Sequence, residues 1–158
     1  RFSRIVALAA RAACERLGDV GVAVKWPNDL VIGEQKLGGL LAVGVPQEKF
    51  VVVGIGVNVG WAPDGAVALS SGATPLELLA TMLSEIDVRA DKNDTDLREE
   101  HKSVLATLGS NVRVELRAGE FVVGVANDLD ELSRLVVVDE AGRRHVIDVG
   151  DVVHLRRK

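Results

Sequence analysis

The sequence lacks most features that mark secreted, membrane-bound or metal-scaffolded proteins. One cysteine, Cys14, occurs in 158 residues. No internal disulfide can form, and a reducing, cytoplasmic setting is the simplest reading. Tyrosine is absent and aromatics make up 3% of the chain, so any core must be built from Val, Leu, Ala and Ile. No apolar run reaches the roughly 18 residues a membrane-spanning helix needs, and no signal peptide is visible. The longest candidate, Phe50 to Trp61, is interrupted by Gly54, Gly56 and Asn58. His101, His145 and His154 are scattered without metal-ligand spacing. The 19 basic residues against 23 acidic ones leave a net charge of −4. That balance excludes a general nucleic-acid binder, which needs a basic face to displace counterions, and the closing "HLRRK" is too short to reverse it. An initiator Met is lacking, and the chain opens directly in a helical pattern, which reads as the middle of a domain.

What is present supports a proper core. With 47% hydrophobic residues the chain is not disordered, and its length suits one ordinary domain or a medium one plus a small one. Phe2, Ile5, Val6, Ala9, Ala12, Ala13 and Leu17 recur at helical spacing, opposite Arg4, Arg11 and Glu15, with Gly18 as a stop. Short β-type runs follow at 21–25, 30–32, 37–45 and 50–59, parted by "WPND", "GEQK" and "PQEK". Such short connections predict antiparallel hairpins. After a small-residue loop at 60–73, "TPLE" opens a helix with Thr74 as cap, Pro75 in the first turn and Glu77 closing a capping box. Leu76, Leu79, Leu83 and Ile86 are its expected buried stripe. A charged stretch, 87–102, links to or forms another helix bearing Leu97, Val104, Leu105 and Leu108. From Gly109 five alternating runs, "NVRVEL", "FVVGVAND", "RLVVVDE", "RHVIDV" and "DVVHLR", are separated by "AGE", "DLDELS", "AGR" and "GD". Five strands in about fifty residues suggest a small SH3-like barrel. The change of texture near 106–110 divides the chain into 1–108 and 109–158.

Two stretches carry polar residues where strands should be dry. In "KWPND", Pro27 fixes its own φ and biases Trp26 towards extended geometry. The run is either a hairpin turn with a solvated Lys25, or a binding loop that aims Lys25 and Asp29 into one space. Lys36 ends the next turn and precedes Gly38 and Gly39, whose missing side chains weaken a strand unless a ligand or backbone lies against it. In "GIGVN", Gly54, Gly56 and Asn58 share one strand face, where bare backbone and one amide could recognise the edge of a planar group. No helix opens after Asn58, so this is not the G-x-G-x-x-G dinucleotide turn. Lysines, a carboxylate and glycine slots together suit a flat or extended ligand plus a phosphate. Asp29 could orient an amine or hold magnesium.

"KWPND" at 25–29, "KLGGLL" at 36–41 and "GIGVN" at 54–58, followed by "RVEL", "VVGVANDLDELSRLVVVD" and "GDVVHLR", closely resemble biotin protein ligase. The resemblance implies an α+β fold: a mixed β-sheet with flanking helices, like class II aminoacyl-tRNA synthetases and truncated at its N-terminus, then an SH3-like β-barrel. It implies a ligase that uses ATP and biotin as substrates, with Mg2+, forms biotinyl-5′-AMP, and biotinylates a lysine of a biotin carboxyl carrier domain. Carried over by motif, Lys36 contacts the biotin carboxylate and α-phosphate, and Asp29 assists the acceptor amine and is a candidate Mg2+ ligand. Lys25, Trp26 and Asn28 build the phosphate and adenylate side. Gly38 and Gly39 floor the biotin slot beside Gly54 and Gly56, and Asn58 and Trp61 lie near the adenine. A homodimer through a sheet edge is a further implied partner, while membrane and nucleic acid are not. The family's Gly/Arg-rich loop is expected upstream of residue 1, so that the chain alone would be inactive. A lipoate-type ligase of the same superfamily and a non-catalytic ligand-binding or docking module are the alternatives. In the second region the near absence of aromatics argues against peptide or base stacking.

Overall fold

The computed structural model describes residues 1–18, 21–45, 50–116 and 119–155. The "PQEK" connection, Ala118 of "AGE" and the basic residues 156–158 lie outside them. The chain separates into two compact units: Arg1–Val24 with Asn28–His101, and Lys25–Pro27 with Lys102–Lys158. The first contains α1 (Phe2–Arg16), the four-stranded sheet β1 (Val22–Lys25), β2 (Asp29–Ile32), β3 (Gln35–Val45) and β4 (Phe50–Val57), then α2 (Pro75–Ala90) and α3 (Asp94–Ser103). The second contains β5 (Asn111–Glu115), β6 (Phe121–Leu129), β7 (Leu135–Val138), β8 (Arg144–Ile147) and β9 (Asp151–His154). No helix among the described residues is long and apolar enough to cross a membrane.

In the first unit the strands follow sequence order, β1-β2-β3-β4. The β2–β3 and β3–β4 ladders are antiparallel, as short connections dictate. The sheet implied by the resemblance was mixed. Here parallel pairing occurs only as the isolated bridges Lys36–Ala66 and Val59–Leu69 among the described residues. On α1, Ala7, Ala9, Ala10, Ala13 and Cys14 are buried with Ile5 and Leu8, small residues that let neighbouring elements approach closely. Phe2, expected on that buried stripe, is 55% exposed.

Helix α2 begins where the sequence places it. The Glu77 N–H donates to Thr74 Oγ1 at 3.2 Å and the Thr74 N–H to Glu77 Oε2 at 2.8 Å, so two terminal amides are satisfied reciprocally. Its buried face is not the expected one. Leu76, Leu79 and Leu83 are exposed and Ile86 is half-buried, whereas Leu78, Met82, Glu85 and Arg89 face inward against α1. Charge pairing is the reason. Glu85 is held by Arg89 and by Arg16 of α1 at 2.6 Å, and Arg89 also meets Glu100 of α3 at 2.7 Å. Buried charges are tolerated only when partnered in this way, and the guanidinium of Arg16, then that of Arg89, holds the Glu85 carboxyl below its usual range.

In the second unit the strand order is β8-β7-β6-β5-β9, with antiparallel ladders throughout. Val112, Val114, Ala126, Leu135, Val137 and Val152 are fully or almost fully buried between them. The outer face carries Arg113 with its guanidinium 4.3 Å from the Phe121 ring centre. The ladders among the described residues leave β8 and β9 at the edges, without closing a barrel.

Candidate functional site

A partly exposed polar cluster of the first unit stands where β2, β3 and β4 meet. Asp29 lies opposite Gly39, and Gly39 lies opposite Gly56. Side chains on directly opposed residues of an antiparallel pair share a face. Leu30 pairs with Gly38 but Val31 pairs with Lys36, leaving Leu37 as an extra residue in β3. This bulge offsets the alternation by one residue, so Lys36 emerges on the face of Gly39 and Asp29 rather than the opposite one. Bulges commonly re-aim side chains in this way. Lys36 Nζ then sits 2.6 Å from Asp29 Oδ1, with the lysine side chain 56% and the aspartate 25% exposed.

The two adjacent glycines play different parts. A Cβ on Gly39 would lie 3.0 Å from Asp29 Oδ1 and 3.3 Å from Lys36 Nζ, so the ion pair occupies the space above that backbone. A Cβ on Gly38 would lie 2.4 Å from the Gly56 carbonyl oxygen, so bare backbone there lets β4 approach. Gly54 and Gly56 are exposed, and a Cβ on Gly56 meets nothing within 4 Å. With Leu41 opposite Gly54 and Gly39 opposite Gly56, they form an open, shallow floor leading away from the Lys36–Asp29 pair.

Two asparagines stitch this surface together. The Asn28 amide donates to the Leu40 carbonyl, and the Leu40 N–H donates to the Asn28 carbonyl at 2.9 Å. The residue before Asp29 is thereby clamped to β3 from both sides. The Asn58 amide donates to the Val67 carbonyl at 2.9 Å and to the Lys36 carbonyl at 3.4 Å. Trp61, just beyond, is 73% exposed. The segment 66–69 is a contributor the sequence did not announce, since it reads as a small-residue loop. Its one signal was Leu69, an isolated large apolar residue that is in fact buried.

The "KWPND" run is divided between the units. Lys25, half-buried at the end of β1, groups with Trp26 and Pro27 in the second. Trp26 is 4% exposed there; its backbone N–H donates to Thr107 Oγ1 at 3.0 Å and its indole N–H to the Ser133 carbonyl at 3.3 Å. Asn28 and Asp29 belong to the first unit. Of the sequence-selected residues, the structure thus gathers Asn28, Asp29, Lys36, Gly39, Gly54, Gly56 and Asn58 on or beside one sheet surface. Cys14 is buried on α1. His145 Nε2 lies 2.9 Å from Asp139 Oδ2, in a turn where Asp139 also accepts from the Arg143 side chain. His101 is buried, and that burial, with Arg4 nearby, lowers its pKa to about 4.

No group of three or more His, Cys, Asp or Glu that could hold a metal occurs among the described residues. Asp29, the candidate ligand, is already paired with Lys36. With one carboxylate at this place, a magnesium ion would depend on substrate phosphates and water for its remaining ligands.

Residues 1–59 match the model of the biotin/lipoate A/B protein ligase family, and residues 107–155 match that of the biotin protein ligase C terminal domain. The biotin–[acetyl-CoA-carboxylase] ligase of Mycobacterium tuberculosis is 39% identical over 144 residues, which is 84% of this chain and 53% of that protein. The chain thus spans about half the length of that relative. The apo structure of Aquifex aeolicus biotin protein ligase matches with a TM-score of 0.81 at 22% identity, covering 98% of this chain and 74% of the other. The same enzyme in complex with biotin and ATP matches with a TM-score of 0.77 at 20% identity, over 97% of this chain and 71% of the other.

Proposed function

The chain belongs to the biotin protein ligases, with residues 1–59 in the biotin/lipoate A/B protein ligase family and residues 107–155 in the biotin protein ligase C terminal domain, and from that premise we propose that its protein activates biotin with ATP and transfers it to a carrier lysine. The observation that carries this reading is the Lys36–Asp29 pair at 2.6 Å, standing over Gly39 at the head of the exposed glycine floor.

In the first step a biotin carboxylate oxygen bonds to the α-phosphorus of ATP. The bond from that phosphorus to the α–β bridging oxygen breaks, releasing pyrophosphate. Negative charge gathers on the α-phosphoryl oxygens, and a preorganised ammonium beside them stabilises that transition state. Lys36 is the group suited to this, because its backbone is fixed while its side chain is half-open to solvent. In the second step the carrier amine attacks the acyl carbon, the C–O bond to AMP breaks, and AMP departs. The surplus proton on the nitrogen needs an acceptor, and Asp29 is the carboxylate at hand. Asn28 serves the phosphate and adenylate side, and the exposed Trp61 offers a face for the adenine. The apolar body of biotin lies along Gly39, Gly54, Gly56 and Leu41, with Gly38 letting the strands close beneath it.

The second unit is read as an SH3-like β domain in the service of the ligase. Five short antiparallel strands support this, as does the biotin-ligase-specific match of residues 107–155. That match also favours biotin over lipoate, since the first match covers both kinds of ligase. The carrier is then the biotin-accepting domain of an acetyl-CoA carboxylase, the substrate named for the Mycobacterium tuberculosis relative.

The test uses the full-length protein in biotin-dependent exchange of pyrophosphate into ATP, followed by transfer to a carrier domain, with lipoate as control. Exchange and carrier labelling with biotin alone are expected. Lys36→Ala should lower exchange by roughly a hundredfold to a thousandfold, and Asp29→Asn should impair transfer at least as much as activation. Labelling with lipoate, or exchange unchanged in Lys36→Ala, overturns the assignment.

A further inference from the structure

The Lys36 backbone is held by more than its own sheet. The Val67 N–H donates to the Lys36 carbonyl at 3.0 Å, and the Asn58 amide donates to the same carbonyl at 3.4 Å and to the Val67 carbonyl at 2.9 Å. The Asn58 N–H donates to the Leu37 carbonyl and its own carbonyl accepts from Leu69, at 2.9 and 3.0 Å. Ala66 and Leu69 form parallel bridges to Lys36 and Val59, and buried Leu69 anchors the far end. The 66–69 segment is therefore a strap laid along the start of β3, and Asn58 is the side chain that joins strap to strand.

This matters because Lys36 sits at the bulge formed by Leu37. A bulge interrupts the ladder and leaves local backbone groups to find other partners. The strap supplies them at the one place where a shift of the main chain would swing Lys36 Nζ away from Asp29. Both bonds from the Asn58 side chain use Nδ2 as donor.

We propose that Asn58 is a positioning residue for Lys36: its amide donor locks the 66–69 strap to the bulged strand and thereby fixes the lysine in the geometry for adenylation. This rests on the biotin-activating function proposed above, and it deepens that function with a role distinct from adenine contact. The two roles make opposite demands. Positioning needs the Nδ2 donor. An adenine contact made by the side-chain oxygen would survive replacement of the amide by a carboxylate.

The experiment measures biotin-dependent pyrophosphate exchange by the full-length protein, with kcat and the KM for ATP determined separately. The variants are Asn58→Asp, Asn58→Ala and Val67→Pro. Val67→Pro removes the backbone donor to the Lys36 carbonyl while keeping both the Asn58 side chain and the residue-67 carbonyl that accepts from it. Positioning predicts that all three lose kcat by about tenfold to a hundredfold, the scale of a small misplacement of a reacting group, with the KM for ATP unchanged. In a Lys36→Ala background, Asn58→Asp should have no further effect on the affinity for a non-hydrolysable biotinyl-AMP analogue, because coupled residues are non-additive. If Asn58→Asp folds poorly, Asn58→Ala and Val67→Pro carry the test. A several-fold rise in the KM for ATP at unchanged kcat in Asn58→Ala, with Asn58→Asp near wild type, overturns the proposal, as does additivity with Lys36→Ala. A wild-type protein without exchange activity would instead refute the parent reading.

Discussion

An added methyl at Gly38 and one at Gly39 would meet different parts of the molecule, and the difference separates folding from chemistry. At Gly38 it would run into the Gly56 carbonyl, part of the β4 backbone, at 2.4 Å. Backbone cannot rotate away, so the strands must part. Gly38→Ala should destabilise the first unit by about 1–3 kcal/mol or more, the usual cost of overpacking, read as a lower denaturant midpoint. At Gly39 the methyl would meet Asp29 Oδ1 and Lys36 Nζ, 3.0 and 3.3 Å away, and those side chains can shift by a few tenths of an ångström. Gly39→Ala should keep its unfolding midpoint and lose adenylation activity roughly tenfold or more. Equal midpoints with equal activities would refute the claim that the pair fills that space. The glycines and both charges were legible in the sequence because their residue types are out of place in a dry strand. Their division of labour was not, since it depends on which strand face each occupies, and the Leu37 bulge resets that.

At the scale of elements, hydrophobic periodicity located α2 and its cap, yet it pointed to the wrong face. Leu76, Leu79 and Leu83 and the pair Leu78 and Met82 both recur at helical spacing, so the period alone cannot choose between them. Glu85 and Arg89 look like solvent-facing residues until Arg16 and Glu100, distant in sequence, are brought to them. The same cause hides His101. It reads as a residue in a charged run, but α3 buries it near Arg4 and its pKa falls to about 4 from an ordinary 6.5. A histidine held neutral in the fold but free to protonate when unfolded binds more protons in the unfolded state between those two values. Stability therefore falls as pH drops through that window and is fully present above about 6.5. The full effect amounts to about 3 kcal/mol. Unfolding midpoints measured between pH 7 and pH 4.5 should decline for the wild type and stay much flatter for His101→Gln. Parallel curves for the two proteins would show that His101 is not the titrating group.

At the scale of the molecule, recognition came from order rather than from any one motif. "KWPND", "KLGGLL", "GIGVN" and a five-strand C-terminal pattern are individually ordinary, but their succession spans most of the chain. The division of "KWPND" between two compact units could not be read this way, because a continuous motif suggests a continuous site. Thermodynamic linkage gives a test that depends on the whole fold. A ligand that binds only the native chain stabilises it by RT ln(1 + [L]/Kd), about 2.7 kcal/mol at a hundredfold excess over Kd. For a chain of this size that is a rise of roughly 5–10 °C in the unfolding midpoint. Helices α1 and α2 lie in the first unit with Asp29, Lys36 and the glycine floor, so circular dichroism at the helical band follows the unit that carries the site. A biotinyl-AMP analogue should raise that transition, and a lipoyl-AMP analogue at the same concentration should leave it in place. If both raise it equally, the floor of Gly39, Gly54 and Gly56 does not discriminate between the acyl groups. Specificity would then have to reside elsewhere in the protein.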